Sequence, residues 1–183
     1  MKVRSDFVSN SSSSSFVVIR DCGRWIRTAE EAGLSEWAGK ELVLPNRAIG
    51  LSEFGWEIRI YDGVGEKLNW CALCLIEIAT LENEIKHRDA EKWIRKNPHA
   101  GKSGEYLEML KRLCRETYGI DVRLPTLEDE KSDDADRGYI DHQSGPMENP
   151  DAASMFASYE ALERFVCNTA SHIDGGNDNE ERG

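Results

Sequence analysis

Trp70-Cys71-Ala72-Leu73-Cys74-Leu75-Ile76-Glu77-Ile78-Ala79-Thr80-Leu81 is apolar throughout except at Glu77 and Thr80. A run of this length and character reads as a helix buried on most sides, not as an amphipathic one with a single greasy stripe. Asp62-Gly63-Val64-Gly65 has the composition of a turn, so the helix is expected to follow it over residues 66–88. A rod of this kind belongs at the centre of a core, and the other elements have to cover it.

Upstream, Trp56, Ile58 and Ile60 alternate with Glu57, Arg59 and Tyr61, so residues 54–61 read as one half-buried strand with Ile60 toward the core. Residues 41–44 form a brief strand stopped by Pro45. Thr28 and Glu31 have capping-box spacing, which predicts a short helix carrying Trp37 near its end. Phe16-Val17-Val18-Ile19 is β-branched and aromatic and reads as a strand fed by the polar Asn10 and Ser11 to Ser15.

Downstream, Asn97-Pro98 breaks a short helix, and residues 103–118 form the next, with Tyr106, Leu107, Leu110, Leu113 and Cys114 on one face and Gly119 as its stop. Residues 120–124 and 138–142 read as strands, the acidic stretch 128–136 as a solvated loop, and 146–154 as a loop. A last helix over 158–170 turns Tyr159, Leu162, Phe165 and Val166 inward. The fold class is therefore α+β: a small, mostly antiparallel sheet packed on a buried central helix, with two or three further helices. One domain spans 1–174, and 175–183 is a polar tail with the composition of a disordered segment.

The chain has 183 residues, enough for one ordinary core, and its 39% hydrophobic content supports folding. A net charge of −11 opposes direct binding to nucleic acid or anionic lipid; it leaves room for a basic protein as partner, although such charge more often serves solubility alone. No apolar run reaches the roughly 18 residues of a spanning helix, and the N-terminus lacks an apolar signal core, so a cytoplasmic location is expected. The five cysteines form an odd set lying partly in helical stripes, which reads as reduced core thiols.

Motifs that carry chemistry are few. Cys71 and Cys74 have C-x-x-C spacing, but they lie inside the most apolar helix and the histidines that follow do not complete a zinc site. Gly101-Lys102-Ser103 ends like a phosphate-binding loop, yet Lys96 occupies the place of its first glycine. The acidic stretch lacks the spacing of a calcium loop. No metal and no cofactor is expected. Tyr139-Ile140-Asp141-His142-Gln143-Ser144 gathers an acid, a base, an amide and a hydroxyl, but neighbours on a strand face opposite ways, so Asp141 is badly placed to orient His142. The serine run lies between two apolar clusters, Phe7-Val8 and Phe16 to Ile19, which argues for an ordered loop whose hydroxyls and amides cap nearby elements or bind an anion.

Taken together, Asp6-Phe7-Val8-Ser9-Asn10 with the serines closing on Phe16, Phe54-Gly55-Trp56 with Tyr61 and Lys67-Leu68-Asn69, Gly138 to Ser144, and Phe165-Val166-Cys167-Asn168 through Gly176-Asn177-Asp178-Asn179 resemble an uncharacterised family of bacterial and phage proteins. Cys71 and Cys167 depart from its pattern. The resemblance implies no established activity. It does imply that the polar ends meet, giving a candidate polar site of Asn10, Ser11, Ser12, Ser13, Ser14, Ser15, Asp141, His142, Gln143, Ser144, Asn168, Asn177, Asp178 and Asn179. The expected function is that of a phage or mobile-element accessory protein acting by protein–protein binding, not catalysis, with an anti-defence inhibitor as its most concrete form. The alternative is a small enzyme or a nucleotide- or anion-binding protein using that polar site.

Overall fold

The apolar run forms the middle of α1 (Val64–Ile85), in which Trp70, Cys71, Ala72, Cys74 and Leu75 are wholly buried and Ile78 and Leu81 nearly so. The computed structural model describes residues 14–55, 59–85, 97–126, 129, 138–141 and 144–176. Around α1 pack α2 (Ser103–Tyr118), α3 (Tyr159–Cys167) and 3₁₀ turns over Pro150–Ala157, kinked at Ala153. Their apolar faces meet it with Tyr106, Leu110, Leu113, Phe156, Leu162, Phe165 and Val166. Aromatic rings fill the ends: Phe54 stands edge-on to Trp70 at 5.1 Å and to Tyr61 at 5.0 Å, and Tyr106 stacks on Phe156 at 4.8 Å.

Helix ends are tied across the fold. Glu82, late in α1, accepts the Ser103 amide at 2.9 Å and its hydroxyl at 2.5 Å, satisfying a donor at the start of α2. Gly119 adopts the left-handed conformation that closes α2, and the Ser158 hydroxyl accepts the Ala161 amide at the start of α3.

Among the described residues seven short strands form three small sheets. β1 (Ser14–Val18), β7 (His172–Gly176) and β4 (Arg59–Tyr61) make an antiparallel sheet in the order β1-β7-β4. β2 (Glu41–Val43) pairs in parallel with β5 (Asp121–Arg123), and β3 (Glu53–Phe54) with β6 (Tyr139–Ile140). The architecture is a small α+β fold on a central helix.

Several local expectations are corrected. Residues 54–61 are not one strand, because β3 and β4 belong to different sheets and Gly55, at φ +108°, turns the chain between them. The facing of β4 is also inverted: Tyr61 packs on Phe54 in the core and Ile60 is 59% exposed, because the larger aromatic ring takes the inward position. Thr28 does accept the Glu31 amide at 3.2 Å, but Gly33 follows at positive φ and only a turn and a 3₁₀ segment at Ser35–Trp37 result. Part of the expected loop 146–154 is the 3₁₀ segment. Gly175 and Gly176, read as tail, lie in the central strand β7. In the acidic stretch Asp129 grips Arg123 at 2.7 and 3.0 Å, which holds its carboxyl well below the ordinary range.

All five cysteines are free, four buried and Cys22 exposed; burial pushes the Cys114 and Cys167 thiols up, keeping them protonated. Among the described residues no helix is long and apolar enough to cross a membrane.

Leu75→Ala should lower stability by about 2–5 kcal/mol through the cavity it leaves beside α1. Urea titration checks this, with exposed Glu105→Ala as a control expected within about 0.5 kcal/mol of wild type.

Candidate functional site

The end of the serine run, the Asp141 segment and the start of the polar tail meet at one place. Ser14 lies opposite Gly176 and Ser15 opposite Gly175 in the β1–β7 pair. The Ser15 amide donates to the Ser144 hydroxyl oxygen at 2.8 Å, so it points away from β7, and Ser144 covers the outer edge of β1. The Ser144 and Gly145 amides in turn donate to the Asp141 carbonyl at 2.7 and 3.1 Å, closing a tight turn. The Asp141 amide donates to the Phe54 carbonyl at 2.9 Å, continuing the β3–β6 pairing. A Cβ at Gly55 would overlap that of Asp141, which is why the chain turns there without a side chain.

Ser15, Asp141 and Ser144 are all buried, and the Ser15 hydroxyl has no hydrogen-bond partner among the described residues. Of Ser14 only the backbone is described. Asn10, Ser11, Ser12, Ser13, His142, Gln143, Asn177, Asp178 and Asn179 lie outside the described residues.

Asn168 sits elsewhere, beyond the Val18–His172 end of the β1–β7 pair, as the residue after α3. It bridges Trp25, its side-chain oxygen accepts the Ala170 amide at 2.9 Å, and its buried side-chain nitrogen has no partner among the described residues. Its carbonyl accepts from Lys67 Nζ at 2.9 Å, and the Val166 carbonyl does so at 3.5 Å. Lys67, in the first turn of α1, is wholly buried at the negative end of α3. Burial pushes its ammonium down to about 8, against the opposing pull of Asp62.

A second group of side chains fastens residues 144–152 to the core. Asn97 donates to the Pro146 carbonyl at 2.9 Å, and Trp70 Nε1 to the Ala152 carbonyl at 3.1 Å. His99 donates through Nε2 to the Pro150 carbonyl at 2.8 Å, which leaves Nδ1 to accept the Tyr106 hydroxyl at 3.0 Å. Burial lowers its pKa, in keeping with a neutral ring. The Glu77 carboxylate lies so close to Gly145 that a Cβ there would overlap it, and it accepts the Met147 amide. Burial, reinforced by Glu148, pushes Glu77 up to about 7 against that hydrogen bond.

The outer face of the β1-β7-β4 sheet differs from these buried sites. Phe16, Asp174 and Ile60 are directly opposite one another, hence in one row on one face. Phe16 is 51% exposed and Ile60 59%, while Asp174 between them is half-buried. Sequence reasoning missed this row because Ile60 read as a core residue. It also missed Lys67, whose only signal was its place in the Lys-Leu-Asn step, and passed over Glu77, visible as the one acid in an apolar run. No family profile, curated protein or solved structure matches the chain.

A carboxyl whose native pKa lies above its unfolded value of 4.5 destabilises the fold as it ionises, so the Glu77 contribution falls as pH rises from about 4.5 to about 7. Glu77→Gln keeps an acceptor for Met147 and should raise stability at pH 8 by on the order of 1–3 kcal/mol, with little change near pH 4.5. Thermal unfolding across that range checks it, and a gain independent of pH would contradict the assignment. Ser144→Ala should cost about 1–3 kcal/mol by leaving the buried Ser15 amide unpaired, and should speed hydrogen exchange at that amide selectively.

Proposed function

We propose that the chain is an accessory protein that works by binding another protein, of the kind a phage or mobile element directs at a host system. The observation that carries the reading is the Phe16–Asp174–Ile60 row: two large apolar side chains held out from short strands, on a chain whose net charge is −11. Isolated exposed apolar residues are ordinary, but two in one row with a carboxylate between them form a defined contact surface. The acid excess supports a basic partner, because it accelerates encounter with positive surfaces and repels phosphate backbones. The most concrete form of the proposal is an inhibitor that offers carboxylates to the basic nucleic-acid channel of a defence protein.

A second reading, a small enzyme or a nucleotide- or anion-binding protein, draws support from the buried Ser15 hydroxyl, which lies beside Ser144 without a partner among the described residues. A ligand held there would raise the melting temperature, and further as its concentration climbs above its Kd. A panel of nucleotides and inorganic phosphate separates the two readings.

The tagged chain should retain a specific protein from a bacterial lysate at moderate salt, and a Phe16→Asp, Ile60→Asp double variant should lose it while keeping its melting temperature within a few degrees. Recovery of no partner, or the same recovery by the folded double variant, would sink the protein-binding reading at this face.

A further inference from the structure

We infer that the outer face of the β1-β7-β4 sheet receives an arginine side chain of a basic partner protein, seated on Asp174 between Phe16 and Ile60. The inference rests on the protein-binding reading and names its chemistry. Strand spacing places Phe16 and Ile60 about 10 Å apart with Asp174 midway, a gap that one flat cationic group fills. Among the described residues no cation matches the charge in the gap. Glu31, Glu53, Glu66, Glu163, Asp21, Asp121 and Asp129 each pair with an arginine, whereas Asp174, though half-buried, has no ion-pair partner among the described residues.

A second acceptor lies on the same face. His172, two residues before Asp174, has Nδ1 at 3.1 Å from the Ala170 carbonyl; a carbonyl only accepts, so that nitrogen donates, and in the neutral ring Nε2 is the acceptor. The two acceptors are about 7 Å apart along β7. An ammonium is satisfied by the carboxylate alone and keeps its hydration. A guanidinium is planar and weakly hydrated, forks onto a carboxylate, and lies flat against an aromatic ring, so the apolar walls favour arginine over lysine. At the β1 edge the Ser15 amide is already taken by Ser144.

The test is an amide-resolved NMR titration of the full chain with acetyl-Gly-Leu-Arg-Leu-Gly-amide and its lysine and citrulline counterparts. The arginine peptide should shift the amides of Phe16, Ile60 and Asp174, and the citrulline peptide should bind about tenfold more weakly. Asp174→Asn should erase that difference, and Phe16→Ala should narrow the preference for arginine over lysine. Equal responses to the arginine and lysine peptides spread over the surface acids, or an unchanged response in folded Asp174→Asn, would overturn the assignment. Sedimentation showing a dimer that Phe16→Ala abolishes would give the face to a second copy and likewise overturn it. If the peptides fail while a captured partner remains sensitive to Phe16→Asp, the slot alone is wrong; if capture ignores both face substitutions, the reading beneath it fails too.

Discussion

A lysine ammonium enclosed by protein is the constraint around which the fold is organised. Lys67 Nζ lies where the first turn of α1 meets the end of α3, donating to the carbonyls of Asn168 and Val166. Taking such a group out of water costs several kcal/mol unless its donors are satisfied and its field is matched. The end of α3 meets both in part: its last carbonyls, which have no partners within the helix, accept two hydrogen bonds and carry the negative end of its dipole, while burial still holds the ammonium below its ordinary range. The same carbonyl end anchors the N-terminal segment, because the Ile26 amide donates to Cys167, the Thr169 amide to Arg24, and Ser171 exchanges hydrogen bonds with the Arg20 backbone. Displacing the ammonium would therefore loosen α1, α3 and the approach to β1 together.

Two residues later Asn69 works by the same logic. Its oxygen accepts the Asn46 amide at 2.8 Å and its nitrogen donates to the carbonyls of Asn46, Gly50 and Leu51 at 3.0–3.1 Å. A loop laid against an apolar helix has peptide groups that water no longer reaches, and each requires a partner. Lys67 and Asn69 supply those partners from α1 itself. The 144–152 segment is treated likewise by Trp70, Glu77, Asn97 and His99. The apolar rod is thus studded, at the places where backbone crosses it, with the few polar side chains the crossing chain needs.

That arrangement explains what the sequence disclosed. Helix α1 was legible because twelve nearly unbroken apolar residues have few other places to go, and α2 because its apolar face and Gly119 stop are local signals. β7 was not legible, since Gly175 and Gly176 have no side chain to carry a pattern and their strand exists only through pairing on both sides. Ile60 misled because alternation alone does not say which face is inward: the aromatic Tyr61 takes the core beside Phe54 and the isoleucine is left outside. Of the candidate site, only the resemblance in the sequence implied that the polar segments meet; Ser15, Asp141 and Ser144 do lie together, Asn168 lies apart, and most of the other candidates fall outside the described residues. What sequence does not encode is the partner atom: Ser144 faces a main-chain amide, not a second reactive side chain.

Hydroxyl, amide and carboxylate groups satisfy buried backbone as readily as they perform chemistry, so a polar motif has two meanings until its neighbours are known. The deciding quantity is how many buried peptide groups lie within reach. At Ser144 one does, and the hydroxyl is used on it, which also blunts an edge that would otherwise template pairing with another chain. On the outer face of the same sheet the exposed large apolar side chains are Phe16 and Ile60, with Asp174 between them. The serine that reads in the sequence as part of a reactive cluster thus serves a main-chain amide of β1, and its role here is structural.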